Sequence, residues 1–244
     1  MIDLHNHILY GWDDGPQTIE KSLEMAKQAV EVGTTIMAAT PHRYLTGRQS
    51  RMDIVQDAVD KLNERLQAEN IALNVVPGVE IPIDFGIAEE IKKGHLSTLA
   101  GGGYVLVEPP FPNLPPFLLP AISELIKRGY GVVLAHPERN SAVQRDWNHN
   151  SGLKFVSACG ELGCVIQLTS GSILGRFGPS ALAASKGIAC CRDFKIIIAS
   201  DSHDPKDRNP GLLAIARDTV AQWIGSKTTA DVMVNDLPGE IIGL

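Results

Sequence analysis

Lys195-Ile196-Ile197-Ile198-Ala199-Ser200-Asp201-Ser202-His203 is an apolar run that stops abruptly at an acid and a histidine. A strand with one wet face alternates apolar and polar side chains. A run that is apolar at every position suits a parallel strand covered on both faces. The same shape recurs along the chain and predicts seven strands, over 2–4, 35–40, 73–79, 104–107, 131–135, 165–168 and 195–200. Helical spacing fills the intervals. Leu23, Ala26, Ala29 and Val30 mark a helix opened by Thr18 and stopped at Gly33. Ile54, Val55, Ala58, Leu62 and Leu66 lie on one face of a helix over 51–69. Further helices are expected over 87–93, 116–128, 153–161, 179–186 and 212–224. Strand followed by helix, repeated without a linker, composition break or fixed-period repeat, reads as one α/β domain over 1–244 of the (β/α) barrel type.

Composition narrows the function. The chain has 244 residues, 44% hydrophobic and 20% charged, an ordinary globular balance that excludes disorder. Lys+Arg 22 against Asp+Glu 28 leaves a net charge of −6, which excludes a nucleic-acid backbone as the expected partner. No apolar run approaches ~18 residues, so no membrane-embedded segment is expected. Met1-Ile2-Asp3-Leu4-His5 has neither the basic nor the apolar region of an export signal. Cys159, Cys164, Cys190 and Cys191 lack disulfide-scaffold or zinc-ribbon spacing, and a reducing cytoplasm is the expected location.

Chemistry collects at the strand ends. His5 and His7 end the first predicted strand, His42 follows the second, Glu80 ends the third and Glu108 the fourth. His136 ends the fifth, and Asp201 with His203 ends the seventh. In a parallel barrel these ends share one face, where active sites are built. One such residue is ordinarily a satisfied polar group. Eight together are different, because buried unpaired carboxylates are costly and cations compensate them. Imidazole and carboxylate donors without thiolates favour Zn, Mn or Fe, and their number implies more than one ion. His5 and His7, two apart on a strand, face the same side and suit one ion.

His5-Asn6-His7, Asp13-Asp14-Gly15-Pro16, Thr40-Pro41-His42, Gly78-Val79-Glu80, Glu108, His136-Pro137-Glu138-Arg139 and Ser200-Asp201-Ser202-His203 together resemble the polymerase-and-histidinol-phosphatase (PHP) superfamily. Within it, the chain is most similar to bacterial manganese-dependent protein-tyrosine phosphatases of capsule and exopolysaccharide gene clusters. Gly171-Ser172-Ile173-Leu174-Gly175-Arg176-Phe177-Gly178 also resembles a segment of that subfamily. The resemblance implies a distorted seven-stranded barrel with three divalent ions, Mn foremost, with Fe or Zn as alternatives. His5, His7, Glu80 and Asp201 would bind the first ion. Glu80 would bridge to the second, completed by Glu108 and His136. Asp14, His42 and His203 would hold the third; on the residues alone, Asp14 passes equally as a turn residue.

The implied reaction has independent physical sense. A phosphate monoester repels nucleophiles with its own charge. Metals neutralise that charge and lower the pKa of a bridging water, supplying hydroxide. The four ligand carboxylates contribute about −4 and three divalent ions about +6, so the site is net positive inside an acidic protein. Arg139 and Arg208 match positions that hold phosphate in the family, a task suited to a planar guanidinium fork. A surface pair with Glu138 and a solvated charge beside Asp207 are the alternatives. The implied activity is dephosphorylation of phosphotyrosine on a tyrosine kinase of polysaccharide export; histidinol phosphate is the alternative substrate. Asn140 departs from the subfamily, where an aromatic residue is expected, so a contact to the substrate ring is expected to differ.

Weaker signals remain. Gly101-Gly102-Gly103 precedes a strand and reads as a turn, not a phosphate loop. No cysteine has an arginine six residues later, so thiolate-based phosphatase chemistry is not expected. His95 and His149 read as surface residues. Arg43, Arg48 and Arg51 read as a solvated basic loop or an attraction for an anionic substrate. Six prolines between Pro109 and Pro120, around Phe111 and Phe117, make either a stiff rim for an aromatic substrate or a rigid connection.

Overall fold

The computed structural model describes residues 1–43, 51–146 and 151–244. Its strands are β1 (Ile2–Asn6), β2 (Ile36–Ala39), β3 (Asn74–Pro77), β4 (Glu80–Pro82), β5 (Tyr104–Glu108), β6 (Gly131–Leu134), β7 (Val165–Thr169) and β8 (Lys195–Ala199). All strand pairs are parallel, as the apolar runs predict, in two sheets of order β1-β2-β3 and β4-β5-β6-β7-β8. The first helices are α1 (Ile19–Glu31), α2 (Met52–Ala68), α3 (Ile87–Lys92) and α4 (Leu118–Lys127). After α5 (Ser141–Asp146) come α6 (Ser151–Glu161), α7 (Ser170–Ile173), α8 (Pro179–Ala189) and α9 (Leu212–Ile224), closing with α10 (Lys227–Val232) and α11 (Asp236–Ile242). The helices α5, α7, α10 and α11 escaped sequence reading. None exceeds seven residues, which leaves at most two turns for a 3.6-residue period to show.

The expected seven strands become eight because the third is cut in two. Pro77 cannot donate to a ladder, and at Gly78 a Cβ would stand 3.0 Å from Cγ2 of Thr40 and 3.1 Å from Cδ2 of Leu99. The chain therefore shifts there, leaving β2 as its main partner and joining β5. Glu80 thus opens β4 and does not end the third strand. The sheets still touch at two isolated bridges, Asn6 with Ser202 and His42 with Glu80. Leu4, Ala38, Leu106, Val133, Val165 and Ile197, from strands of both sheets, meet in one inner cluster with Ile241 of α11. The opposite strand faces, including Val105, Val107, Ile166 and Ile198, pack under the helices.

Side chains do part of the ladder's work between β1 and β8. The buried Asp3 carboxylate accepts from the Ser200 N–H at 2.9 Å and from its hydroxyl at 2.5 Å. The Asp201 N–H then donates to the His5 carbonyl at 2.8 Å, and the His7 N–H to the Ser202 carbonyl at 2.9 Å. No helix among the described residues is long and apolar enough to cross a membrane.

Burial pushes the Asp3 carboxyl up from 3.8 to about 6, against the opposing pull of the Ser200 hydrogen bonds. Across that window the folded chain keeps a proton that the unfolded chain has released. The stability Asp3 contributes is therefore largest below 3.8 and is lost as pH rises through about 6. Asp3→Asn should retain an acceptor for Ser200 and remove the titration. Urea unfolding at several pH values should show the wild-type-minus-variant stability falling by about 3 kcal/mol from the acid to the neutral side. A difference independent of pH would show that Asp3 does not titrate there.

Candidate metal centre

Each predicted ligand except Glu80, which opens β4, lies at the carboxyl end of a strand or in the loop that follows one. Four overlapping groups of potential ligands, each with its atoms within 4.8 Å of one another, are present among the described residues. They are His7, Asp14, His42 and His203; His5, His7 and Glu80; His5, His136 and Asp201; and His42, Glu80 and Glu108. All nine predicted ligands are thus brought together. His136 and Asp201 reach the cluster with φ of +27° and +51°, a left-handed backbone that non-glycine residues adopt at a cost of roughly 1–3 kcal/mol.

Glu80 lies at the middle and is fully buried. Its Oε2 is 2.8 Å from His42 Nδ1, 3.3 Å from His5 Nε2 and 3.6 Å from His7 Nε2. None of these is aligned as a hydrogen bond, and His5 Nε2, His7 Nε2 and Glu80 Oε2 are all buried without a hydrogen-bond partner. Oε1 faces the other way, 3.1 Å from His136 Nε2, which also lies 3.8 Å from Glu108 Oε1. The far ring nitrogens are occupied: His5 Nδ1 is 3.0 Å from Gln167 Oε1, and His7 Nδ1 is 2.7 Å from Asp13 Oδ2. Imidazoles pinned at one nitrogen and unpartnered at the other, facing a carboxylate oxygen, have the donor arrangement of a metal site.

The electrostatics call for cations. Burial and the charge of Glu80 push Glu108 up to about 7. Burial opposes ionisation of Glu80 itself, but the His5 charge beside it holds its carboxyl well below the usual range. Asp14, half-exposed, is held low by its hydrogen bond to His203 and by nearby imidazoles. His7 rises to about 10 despite burial, through Asp13 and Asp201. A divalent ion replaces those protons and lets both glutamates stay ionised. The residues present fit such ions.

Two arginines flank the cluster. Arg139 Nη1 donates to Asp201 Oδ2 at 2.8 Å, and Arg208 Nη2 lies 2.7 Å from the same oxygen. The Arg208 contact is an ion pair without hydrogen-bond alignment, leaving its Nε and Nη2 without an acceptor. The other Asp201 oxygen faces His5 and His7, at 3.7 and 3.6 Å. Arg139 Cζ is 4.8 Å from the Phe111 ring centroid and 4.4 Å from that of Phe177, stacking contacts that fix the guanidinium. Glu138 does not pair with Arg139; it is buried and accepts from the Thr169 N–H at 2.9 Å.

A family model for capsular polysaccharide synthesis, CpsB/CapC, matches residues 1–242. This chain belongs to the CpsB/CapC family. The tyrosine-protein phosphatase YwqE of Bacillus subtilis (strain 168) is 37% identical over 209 residues, covering 86% of this chain and 80% of that protein. The putative tyrosine-protein phosphatase CapC of Staphylococcus aureus is 33% identical over 208 residues, covering 85% and 79%. A solved structure from work on YwqE of Bacillus subtilis and CpsB of Streptococcus pneumoniae, described as metal-dependent tyrosine phosphatases, superposes with a TM-score of 0.83. It is 33% identical and covers 97% of this chain and 95% of that one. The resemblance to capsule-cluster tyrosine phosphatases is borne out.

Sequence reasoning missed the groups that orient the candidate ligands of this CpsB/CapC-family chain. Asp13 passes as a turn residue, yet it also accepts from the His42 N–H at 2.9 Å. Gln167 is the polar residue inside an apolar strand, a signal that was available. It holds His5 and accepts from the His136 N–H at 3.1 Å. Asn140, where an aromatic residue was expected, is buried, and its side chain bonds to the neighbouring loop. Its Nδ2 donates to the carbonyls of Pro110 and Asn113, and its Oδ1 accepts from the N–H groups of Ala142 and Val143. Asn140 thereby anchors the proline-rich segment carrying Phe111, whose ring stacks at 5.8 Å on His136. Phe117 pairs with exposed Phe85 at 6.1 Å. His95 is exposed, 3.2 Å from Glu90, and Arg51 pairs with Asp53. Arg48 and His149 lie outside the described residues.

Asp13 yields the test of this geometry. Asp13→Ala should free the His7 ring and lower affinity for a divalent metal by about 10- to 100-fold. Titration of Mn²⁺ against a competing chelator reads this directly. Unchanged affinity would mean that His7 is not a ligand or does not need orienting.

Proposed function

We propose that this chain is a metal-dependent phosphatase of phosphotyrosine, with residues 1–244 acting as one catalytic unit. The observation that carries the reading is the convergence of unpartnered His5 Nε2, His7 Nε2 and Glu80 Oε2 beside two arginines. The inner cluster shared by both sheets supports reading them as a distorted barrel whose strand ends frame the centre. Three divalent ions are assigned, with Mn foremost and Fe or Zn also compatible with these donors. His5, His7, Glu80 and Asp201 would hold one; Glu80, Glu108 and His136 a second; Asp14, His42 and His203 a third. Such ions supply charge neutralisation at the phosphate and lower the pKa of a coordinated water.

The chain's own residues do the rest. Arg139 and Arg208 bind and orient the phosphoryl oxygens, with charge-assisted hydrogen bonds that strengthen as charge shifts in the transition state. Phe111 and Phe177 hold the Arg139 guanidinium in place. Asp13 and Gln167 fix the imidazole tautomers that present Nε2 to the centre. The names of the relatives support phosphotyrosyl protein as substrate, and we assign it to a tyrosine kinase of polysaccharide export, in the cytoplasm. Thiolate chemistry has no support: no cysteine has an arginine six residues later, Cys159 and Cys164 are buried, and the Cys159 thiol is raised by its contact with Cys164 and by burial.

Chelation should abolish hydrolysis of a phosphotyrosyl peptide and Mn²⁺ should restore it, while thiol alkylation leaves turnover intact. Loss on alkylation with metals retained would contradict the assignment. Arg139→Ala should keep its metal content, because guanidinium offers no lone pair to a metal. Its turnover should fall roughly 100- to 1000-fold. Inhibition by inorganic phosphate should weaken as well. Arg208→Ala should behave alike, and the double variant should be less than additive if the two act as a unit. Unchanged turnover and phosphate inhibition in Arg139→Ala would remove the clamp.

A further inference from the structure

The segment 171–178 contributes no ligand atom, yet it is built around one ring. The chain turns through Gly175 and Gly178, with φ of +73° and +92°, and presents Phe177 between them. A Cβ on Gly171 would stand 2.5 Å from Cε2 of Phe177, so only glycine lets the ring lie there. Arg176 Nη1 donates to the Asp207 carbonyl at 2.6 Å, tying the segment to the loop that carries Arg208. Between segment and loop is a cavity of about 340 Å³. Phe177, Leu212 and Gly171 form its apolar wall, and Arg176, Asp207, Arg208 and Ser200 line the rest.

We infer that this cavity is the aryl subsite of the centre, receiving the ring of a phosphotyrosine whose phosphate lies on Arg139 and Arg208. The inference rests on the phosphatase reading. Arg208 belongs to both places: one nitrogen contacts Asp201, and the side chain lines the cavity. Phe177 spans the same distance, with its ring centroid 4.4 Å from Arg139 Cζ and 5.6 Å from Arg208 Cζ. A phenyl ester places its ring one oxygen away from the phosphorus, so a phosphate held by both arginines brings the ring to their shared neighbour. The volume falls within the range of small-ligand pockets and exceeds that of one aromatic ring. The apolar wall makes the subsite selective for aryl over alkyl phosphates, which a phosphate clamp alone does not achieve.

The test is calorimetric binding of two non-hydrolysable probes, phenylphosphonate and methylphosphonate, to the Mn²⁺-loaded protein. The wild type should prefer the phenyl probe by at least about 10-fold, the value of burying one ring. Leu212→Trp, which fills the cavity, should bring that preference close to unity while leaving methylphosphonate affinity and metal content unchanged. Should the larger side chain compromise folding, Leu212→Ala removes wall without adding bulk and should reduce the preference about 3-fold. A preference that survives both substitutions overturns the assignment. So does one that collapses in Phe111→Ala alone, since the ring would then lie against the proline-rich rim. Wild-type protein that binds neither phosphonate would overturn the phosphatase reading itself, and the subsite with it.

Discussion

A buried carboxylate has to be compensated, and the arrangement around Glu80 follows from that requirement. The side chain is fully sequestered, and four histidines from three separate strand ends turn toward it. Left alone, such a charge would cost several kcal/mol or take up a proton. The backbone accommodates it. Breaking the third strand at Gly78 lets Glu80 open β4, where its N–H donates to the Pro41 carbonyl and its own carbonyl accepts from the Arg43 N–H. The residue is therefore held by main-chain bonds in the seam between the two sheets. The interruption of the sheet and the position of the charge are one feature.

Much of this was legible in the sequence, for a physical reason. Parallel strands covered on both faces have to be apolar throughout, so a histidine or acid at the end of such a run stands out. That contrast picked out His5, His42, Glu108, His136 and Asp201 before any contact was known. Asp14 was different. In a turn rich in Asp, Gly and Pro it carries no local signature, and only the resemblance of the whole motif set marked it. Asp13 beside it illustrates the limit, since its role depends on reaching His7 across six residues of loop. The break in the third strand was hidden because Pro77-Gly78 lies within a β-branched run, and which neighbour a strand pairs with is a tertiary property. Asn140 shows the reverse case: an apparent departure in the site is a residue that secures a loop.

The two oxygens of Asp201 face two different groups of side chains. One faces the imidazoles of His5 and His7, and the other is shared by Arg139 and Arg208. Asp201 sits in a left-handed backbone conformation, which sets the direction of both oxygens at once. A shift of the carboxylate by a fraction of an ångström would change its contacts with the imidazoles and with the arginines together. Geometry at this residue is thus constrained from two sides, while the aromatic stacking on the arginines limits their freedom to follow.

The cysteines have a bearing on the setting in which the chain works. Cys159 and Cys164 are buried where α6 meets the start of β7, and Cys190 and Cys191 precede β8. All four therefore stand near the amino ends of strands, away from the candidate metal cluster at the carboxyl ends. A phosphatase built on a reactive thiolate is silenced by peroxide, because the nucleophile is also the most oxidisable atom. With its thiols remote from the chemistry, this chain has no such coupling. Peroxide that oxidises these thiols would therefore act at a distance from the candidate metal centre, and any redox sensitivity there would come from the metal and not from a cysteine.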